Sequence, residues 1–417
     1  MKKIKNIILF LLTTQILFFS CTKNEENKIA VIWTDRTDFI SYCEVFNNSQ
    51  DKYKVIVEYK ENPADAIINA EVQPDIVVGP WLKGKSARGN FRKINNLFGE
   101  DKINKDDFYP ELLNLGNISN NQYLLPVSFN LPMIIFSSAV KSQIKNGFTI
   151  SPDEMRDASI QFNKINGGVY SRMGFSPRWC DEFLYMTAKG FNSSFEEEND
   201  FFSWNDKSLQ NAIAYIRNWS KEINSSARAE DEFKFKYLYD SPYSLVRNGH
   251  CLFYYVSSNE LFSMPPKQLE NIDFRWLSFN DKTPLNDDIL YAGICSKAKN
   301  KKAAEAFFIW FFNEKTQKQL LDRSNQMKLM VSSFALAGGF SGLRQVTEKL
   351  LPRYYPLLLA HLPQTGNIHT PHILPSNWLK LKREIVMPYL KDACSAENSE
   401  SPVPSLNKKI TDWYKNQ

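Results

Sequence analysis

The pattern of hydrophobic and polar residues predicts alternating strands and helices in the first part of the chain. Strand-like segments rich in β-branched or aromatic residues lie at 28–33 (KIAVIW), 53–59 (YKVIVEY) and 75–79 (DIVVG). Between them, residues 36–48 repeat apolar side chains at helical spacing, and residues 63–71 open with a proline and are rich in alanine. This β-α-β-α-β order predicts an α/β fold whose parallel sheet carries helices on both faces.

The rest of the chain predicts longer helices and three further strands. Helical segments lie at 152–162, 177–189, 206–223, 301–313, 317–323, 343–351 and 377–390. Strand-like segments lie at 251–256, 272–279 and 289–295. Residues 395–405 are rich in Ser, Pro and Glu and predict a loop before a last helix.

The N-terminal segment has the features of a secretion signal that ends in a lipidation site. Three lysines precede a mostly apolar run at 7–19, which is too short to span a bilayer. Cys21 follows a small residue, Ser20, as in the bacterial lipobox, where the cysteine is acylated (with palmitate, for example) and becomes the mature N-terminus. Phe18 occupies the position where this motif usually has leucine.

We therefore expect residues 1–20 to be a lipoprotein signal peptide and residues 21–27, which are polar and charged, to be a tether. The mature protein is then lipid-anchored in the cell envelope, on the periplasmic or extracytoplasmic face of a membrane. The alternative is an ordinary signal peptide followed by a structural cysteine.

Composition restricts the classes of partner. Removal of residues 1–20 leaves about 395 residues, enough for two domains. The formal charge of +5 includes three lysines of that segment, so the mature chain carries only +2, which argues against a nucleic-acid partner. The five other cysteines are scattered and odd in number, so they predict no disulfide framework, although one bridge stays open.

In a parallel α/β sheet, ligands bind beyond the carboxyl ends of the strands. The residues directly after the first and third predicted strands are therefore candidates for ligand contact, namely Trp33, Asp35, Arg36, Trp81 and Lys83. Two other interpretations stay open at this point. Asp35 is placed to cap the following helix, and either tryptophan could simply pack in the core.

Six segments in order resemble family 1 of the extracellular solute-binding proteins, the carbohydrate-type receptors of ABC importers. They are the first strand at 28–33, the "PDI" strand at 73–78 (QPDIVV), the crossing at 125–128 with 134–137, the turn and strand at 247–253 (RNGHCLF), the "GG-x-x-I" stretch at 291–295 with 299–300, and the helix at 303–312. The chain departs from the family pattern at Phe253, where methionine is usual, and at Ala292, where glycine is usual.

The resemblance implies a two-lobe periplasmic-binding-protein fold of type II-like topology. Each lobe is a sheet flanked by helices, the lobes are joined by crossover hinge strands, and ligand is trapped in the cleft between them. We expect residues 28–128 plus 272–325 in lobe 1 and residues 129–271 plus 326–417 in lobe 2. Closure of the hinge shifts the population toward a state in which ligand contacts both lobes.

A sugar has an apolar C–H face and a rim of hydroxyls, so its site should combine aromatic rings with side chains that hydrogen-bond hydroxyls. Besides the five residues after the first and third strands, the resemblance and the strand ends point to Asn130, Arg178, Trp179, Ser257, Ser258, Asn259 and Trp378. We expect no catalysis and no cofactor. The expected partners are a solute, most simply a mono- or oligosaccharide, and the transmembrane subunits of an ABC permease, and the protein is expected to be a monomer.

Other classes stay open with less support. The sequence Gly339-Phe340-Ser341-Gly342 approaches a nucleophile elbow, but Leu343 stands where that motif requires glycine. The pair His369 and His372, with His361 nearby, could belong to a metal receptor, although no other ligand spacing completes a site. The same fold could also serve sensing or adhesion, or bind a polyol, a sugar phosphate or a polyamine.

Overall fold

The computed structural model describes residues 29–198, 201–359, 361–362, 366–396 and 403–416. The expected signal peptide (1–20), the lipidation site at Cys21 and the tether (21–27) lie outside these residues. None of the helices within the described residues is long and apolar enough to cross a membrane.

Most of the regular structure belongs to two sheets and the helices that cover them. The strands of the two sheets are β1 (Ile29–Thr34), β2 (Lys54–Tyr59), β3 (Ile76–Gly79), β4 (Leu124–Phe129), β5 (Pro132–Ser137), β6 (Thr149–Ile150), β7 (Tyr254–Ser257), β8 (Ile272–Leu277), β9 (Leu290–Ile294) and β10 (Phe340–Ser341). The longer helices are α1 (Asp38–Ser49), α2 (Pro152–Phe162), α3 (Asp181–Gly190), α4 (Asp206–Glu222), α5 (Ala227–Lys236), α6 (Lys301–Phe311), α7 (Glu314–Gln326), α8 (Met387–Ser395) and α9 (Leu406–Lys415).

Short α-helices and two-stranded ribbons, together with 3₁₀ and π turns, make up the rest of the described secondary structure. The short α-helices are Pro63–Ile68, Lys85–Arg88, Pro110–Leu115, Pro242–Arg247, Ser258–Phe262, Leu351–Tyr354 and Trp378–Leu381. The ribbons pair Asn117–Ile118 with Asn121–Gln122, Lys164–Asn166 with Val169–Arg172, Glu196–Glu198 with Phe201–Ser203, and Thr283–Pro284 with Ile368–His369.

The first lobe is built on a six-stranded sheet with the order β10-β4-β9-β3-β1-β2. β1 is parallel to β2 and to β3, as the alternating sequence pattern predicts. β9 is antiparallel to both of its neighbours, β3 and β4, so the sheet is mixed rather than wholly parallel. The three central strands are buried along their whole length, which explains their nearly continuous apolar sequence.

Aromatic rings join helices α1 and α6 of this lobe. Phe46 of α1 meets Phe307 of α6 with ring centroids 5.4 Å apart, and Phe39 meets Phe311 at 5.5 Å. These rings come from the helical positions that the hydrophobic spacing predicts, so this packing follows directly from sequence.

The second lobe is built on a four-stranded sheet with the order β7-β5-β8-β6. Here the structure corrects the predicted lobe boundaries. The prediction assigns 272–325 to lobe 1, but β8 is antiparallel to β5 and parallel to β6 in the second sheet. The prediction assigns 326–417 to lobe 2, but β10 pairs with β4 in the first sheet. β8 is buried along its whole length because it lies between β5 and β6 in the second sheet. The chain therefore returns to the first lobe only after residue 277.

Two of the predicted helices are interrupted by π turns. The segment predicted at 343–351 contains the π turn Val346–Leu350, and the segment at 377–390 contains Lys382–Val386. Each π turn is followed within two residues by a proline, Pro352 or Pro388. Proline has no N–H to donate into the helical ladder, so the preceding turn widens.

Trp378 belongs to the aromatic core of the second lobe. Its side chain is completely buried, and the rings of Phe202, Tyr185 and Phe195 lie 5.2, 5.9 and 6.2 Å from its ring. Its Nε1 donates a hydrogen bond to Asp287 Oδ2 at 3.2 Å. The structure thereby corrects the expectation that this ring stacks on a ligand, because neither of its faces is exposed.

Replacement of Trp378 should therefore act on stability. We expect Trp378→Ala to lower the free energy of unfolding by about 3–5 kcal/mol, because it leaves a large cavity and removes a hydrogen bond to a buried carboxylate. Urea-induced unfolding measures this loss. Trp204→Ala is the matched control, since Trp204 is only partly buried and packs on the same Phe202 ring at 5.7 Å. Equal losses in the two variants would contradict the assignment of Trp378 to the core.

Candidate functional site

The candidate site lies at one edge of the first sheet, where loops from both lobes converge. β1, β3 and β4 all end at this edge, because β1 is parallel to β3 and because β3 and β4 are both antiparallel to β9. β9 and β10 begin at the same edge, since each runs opposite to β4. The loops after three strands and before two others therefore meet there, as the strand-end rule predicts.

Asn130 holds the hinge together at this edge. The residue follows β4 and is 6% exposed. Its Oδ1 accepts a hydrogen bond from Ser258 Oγ at 2.7 Å, and its Nδ2 donates to the carbonyl of Gly338 at 2.9 Å. The amide thus ties the end of β4 to the start of a second-lobe helix and to the loop before β10. One amide hydrogen is left over for a ligand.

Asp35, Arg36, Asn130, Asn259 and Gly338 form what we call the hinge cluster. Gly338 has φ +78°, and a Cβ built on it would lie 3.9 Å from Arg36 Nη1 and 3.7 Å from Asn259 Oδ1. An arginine of the first lobe and an amide of the second therefore face each other across a residue without a side chain. Arg36 and Asn259, which the sequence predicts as ligand-binding residues, are thus brought together from opposite lobes.

Asp35 lies beside Arg36 in a partly buried ion pair. Asp35 Oδ1 is 3.5 Å from Arg36 Nε, and neither atom has a hydrogen-bond partner among the described residues. Burial raises the pKa of Asp35, and the charge of Arg36 opposes this rise. The alternative that Asp35 caps the next helix is not observed, because the N-cap of α1 is Thr37 and no side chain bonds there.

Lys83, Lys189, Lys382 and Asp287 form what we call the lysine cluster. Lys83 follows β3 in the first lobe, whereas Lys189 ends α3 and Lys382 begins a π turn in the second. Asp287 lies in the crossover before β9. Lys189 Nζ is 2.6 Å from Asp287 Oδ1, and Lys382 Nζ is 3.7 Å from Asp287 Oδ2.

The charged groups of this cluster shift the pKa values of their neighbours. Burial raises the pKa of Asp287, but the ammonium groups of Lys189 and Lys382 outweigh it and hold that pKa below its ordinary value. Burial lowers the pKa of Lys83 to about 7, with Asp287 opposing and Lys189 adding to this shift. Asp287 is therefore an anion at neutral pH, whereas Lys83 is close to its titration point.

Trp81 lies next to the lysine cluster in a strained backbone conformation. Its φ is +56°, in the left-handed region that residues other than glycine rarely adopt. The indole is 9% exposed, and its Nε1 has no hydrogen-bond partner within the described residues. Strain of this kind is often found at ligand sites, where the surrounding structure holds the residue in place.

The two lobes are in direct contact beside the lysine cluster. The backbone N–H of Lys85 donates to Glu197 Oε2 of the second lobe at 2.7 Å. A Cβ built on Gly84 would lie 2.7 Å from Ser376 Oγ and 2.8 Å from Ser376 N, so only glycine fits there. The two lobes therefore touch each other at this point in the described conformation.

Two predicted site residues have local partners instead. Trp33 lies outside both clusters, where its Nε1 donates to Glu58 Oε2 at 2.7 Å and Lys60 Nζ lies 4.5 Å from its ring centre. Ser257 caps the helix Ser258–Phe262, because its Oγ accepts from Glu260 N while Glu260 accepts from Ser257 N.

Arg178 and Trp179 are not brought to the cleft clusters. Arg178 Nη1 is 3.3 Å from Oε2 of the fully buried Glu230. The Trp179 ring is stacked against Phe233 at 5.4 Å and Tyr254 at 6.3 Å. The structure corrects the expectation of ligand contact here, since the guanidinium is paired with a buried carboxylate and the indole is buried against two other rings.

Sequence reasoning missed Lys189, Lys382, Asp287 and Gly338. Asp287 could have been found by noting that an antiparallel strand brings its preceding residues to the same edge. The two lysines lie on helices of the second lobe, far from Asp287 along the chain, and no local pattern indicates that they meet it.

Ser341 and His372, which belong to the enzyme and metal alternatives, each have a partner within the protein. Ser341 is buried within β10, and its Oγ donates to Gln317 Oε1 at 2.6 Å. His372 Nδ1 lies 3.2 Å from Glu196 Oε2. Within the described residues, no three His, Cys, Asp or Glu side chains are grouped to hold a metal ion.

A cavity of about 610 Å³ lies elsewhere, in the second lobe. Its lining includes Glu154, Phe162 and Arg172, and none of the predicted site residues. It is open to solvent and lies away from both cleft clusters, so it is not the site that the strand ends build.

Comparison with known proteins identifies the fold. No protein-family model matches this chain, and no curated protein matches it in sequence. Among solved structures, it is similar to the sugar-binding protein MalE from the phytopathogen Xanthomonas citri, with 11% identity, a TM-score of 0.62 and coverage of 93% of this chain and 96% of that one. It is also similar to the maltose-binding periplasmic protein MalE from Listeria monocytogenes in complex with maltose (16% identity, TM-score 0.60, coverage 94% and 98%).

A third similar structure is the cyclic α-maltosyl-1,6-maltose binding protein from Arthrobacter globiformis (15% identity, TM-score 0.60, coverage 92% and 96%). These matches extend over nearly the whole of both chains, so they concern the complete two-lobe architecture. The chain therefore has the two-lobe α/β fold of these sugar-binding proteins, which confirms the fold that the sequence resemblance predicts.

Proposed function

We propose that the protein is the solute-binding component of an ABC importer and captures a carbohydrate by hinge closure. The observation that carries this proposal is the set of buried polar atoms that lack hydrogen-bond partners among the described residues around the cleft. They are Asp35 Oδ1, Arg36 Nε, Trp81 Nε1, Asn286 Oδ1 and Ser376 Oγ.

A buried polar atom without a partner costs about 1–3 kcal/mol. Asp35 Oδ1 and Arg36 Nε lower this cost for each other through their ion pair at 3.5 Å. The atoms of the set come from the loops after β1 and β3, from the crossover, and from the second lobe. They include both donors and acceptors, which is what a ligand with many hydroxyl groups needs. A carbohydrate held between the lobes would satisfy them and so stabilise the closed state.

The fold supports the same proposal, because the similar structures include a maltose-binding protein and a cyclic α-maltosyl-1,6-maltose binding protein. In this proposal the lobes close on the sugar, and the closed protein docks on the transmembrane subunits of the permease. A signal peptide at 1–20 would direct export and be removed, and a lipid on Cys21 would then hold the protein at the extracytoplasmic face of the membrane. No catalytic step is part of this function.

The ligand class can be tested by thermal unfolding of the protein against sugars, polyols, amino acids, polyamines and metal salts. We expect a carbohydrate to raise the unfolding midpoint, because a ligand at about a hundred times its dissociation constant adds roughly 2.7 kcal/mol to stability. A rise only with a polyamine, a polyol or a metal salt would replace carbohydrate by that class. No rise with any of them would favour sensing or adhesion on the same fold.

Closure can be tested at Gly84. We expect Gly84→Val to weaken carbohydrate binding by about tenfold or more, because its side chain would overlap Ser376 of the other lobe and hold the lobes apart. Gly89→Ala is the matched control, since a Cβ there meets nothing within 4 Å. Titration calorimetry measures both affinities, and X-ray scattering should show a larger radius for the Gly84 variant. Unchanged affinity and radius would contradict closure at this contact.

A further inference from the structure

Lys83 is the one member of the lysine cluster whose ammonium has no ion-pair partner among the described residues. Its side chain is 7% exposed, and its Nζ lies 4.6 Å above the ring of Tyr291, which is itself completely buried. The aromatic face provides some stabilisation for a cation but does not neutralise it.

The carboxylates nearest to this ammonium are already matched by the other two lysines. Asp287 is contacted by Lys189 at 2.6 Å and by Lys382 at 3.7 Å. Lys382 is also 2.8 Å from Glu182 Oε1. The printed contacts of Asp287 and Glu182 are thus with the other two lysines, and no carboxylate of the described residues lies within ion-pair distance of Lys83 Nζ.

The surroundings of the cluster are positive on the second-lobe side as well. A cavity of about 80 Å³ is lined by Lys189, His369 and His372, among other residues. The pKa of His369 is held below its ordinary value. Burial is the largest cause of this shift, and the charges of Lys189 and Lys282 add to it.

We propose that the carbohydrate bound in the cleft carries an anionic substituent, a carboxylate or a sulfate, and that Lys83 binds this group when the lobes close. This inference rests on the proposed function and names the substrate class of the same site. Burial of an unmatched ammonium is unfavourable, and an anion brought in by the ligand would offset it. A neutral sugar would leave Lys83 unmatched, so the site would discriminate against it.

The proposal predicts a specific pH dependence, because only protonated Lys83 attracts an anion. The titratable and charged groups around it are Tyr291 of β9, Asp287 and Asp288 of the crossover, Glu182, Tyr185 and Lys189 of α3, and Lys382 of the π turn. The unliganded pKa of Lys83 is about 7, and a bound anion raises it. Affinity for the anionic sugar should therefore be constant below pH 7 and fall by up to about tenfold per pH unit above it.

Titration calorimetry of the full chain tests the proposal with three probes of equal length. These are a trisaccharide of uronic acids, a sulfated trisaccharide and a neutral trisaccharide, each measured between about pH 6 and pH 9, on either side of the Lys83 titration. We expect one anionic probe to bind at least tenfold more tightly than the neutral probe, and the tighter of the two identifies the carboxylate or the sulfate. The preference and its pH dependence should disappear in Lys83→Met and persist in Lys315→Met, which removes an exposed lysine of α7.

The outcomes separate this inference from the proposed function. A neutral probe that binds as tightly as the anionic ones, with Lys83→Met unchanged, overturns the anionic ligand but leaves carbohydrate capture intact. No binding of any saccharide overturns both. The unliganded Lys83→Met variant gives a second readout, because removal of an unmatched buried charge should raise its unfolding midpoint. A lowered midpoint would show that Lys83 has a structural partner and would overturn the inference.

Discussion

The antiparallel pairing of β9 between β3 and β4 is the constraint on which the candidate site depends. A wholly parallel sheet would bring only the loops after its strands to the ligand edge. Because β9 runs in the opposite direction, the crossover that precedes it reaches the same edge, and this crossover carries Asp287. The loop after β3 carries Lys83, so a single strand pairing places the two groups at one end of the sheet.

The hinge follows from the same arrangement. The chain leaves the first sheet at the end of β4 and enters the second at the start of β5, with only Asn130 and Leu131 between. A link of two residues allows the lobes to rotate relative to each other but allows little translation. Asn130 fixes its geometry through bonds to Ser258 and Gly338, whereas the groups that can exchange partners, such as Arg36 and Lys83, stand beside it. Asn130, which fixes the geometry of the hinge, is therefore a different residue from Arg36 and Lys83, which can change partners.

Much of the first lobe could be predicted from sequence, because its signals are local. β1, β2, β3 and α1 show their periodicity within the segments that form them, and the loops after β1 and β3 lie at one edge of the sheet as predicted. The lobe boundary at 272 was wrong because the sequence of β8 (IDFRWL) does not indicate which sheet it joins, and only its pairing partners reveal this. Trp378 could not be assigned, since a tryptophan after a loop is compatible with both a core and a stacking platform. The meeting of Lys189 and Lys382 at Asp287 depends on tertiary packing, which no window of sequence contains.

The hinge cluster and the lysine cluster are proposed to hold one ligand between the two lobes. A crystal structure of the protein with the saccharide that most raises its unfolding midpoint is the direct test. We expect electron density for the sugar between Arg36 and Lys83 on one side and Asn259 on the other, with the lobes closed over it. Density in the cavity beside Phe162 and Arg172, with the cleft empty, would contradict this site.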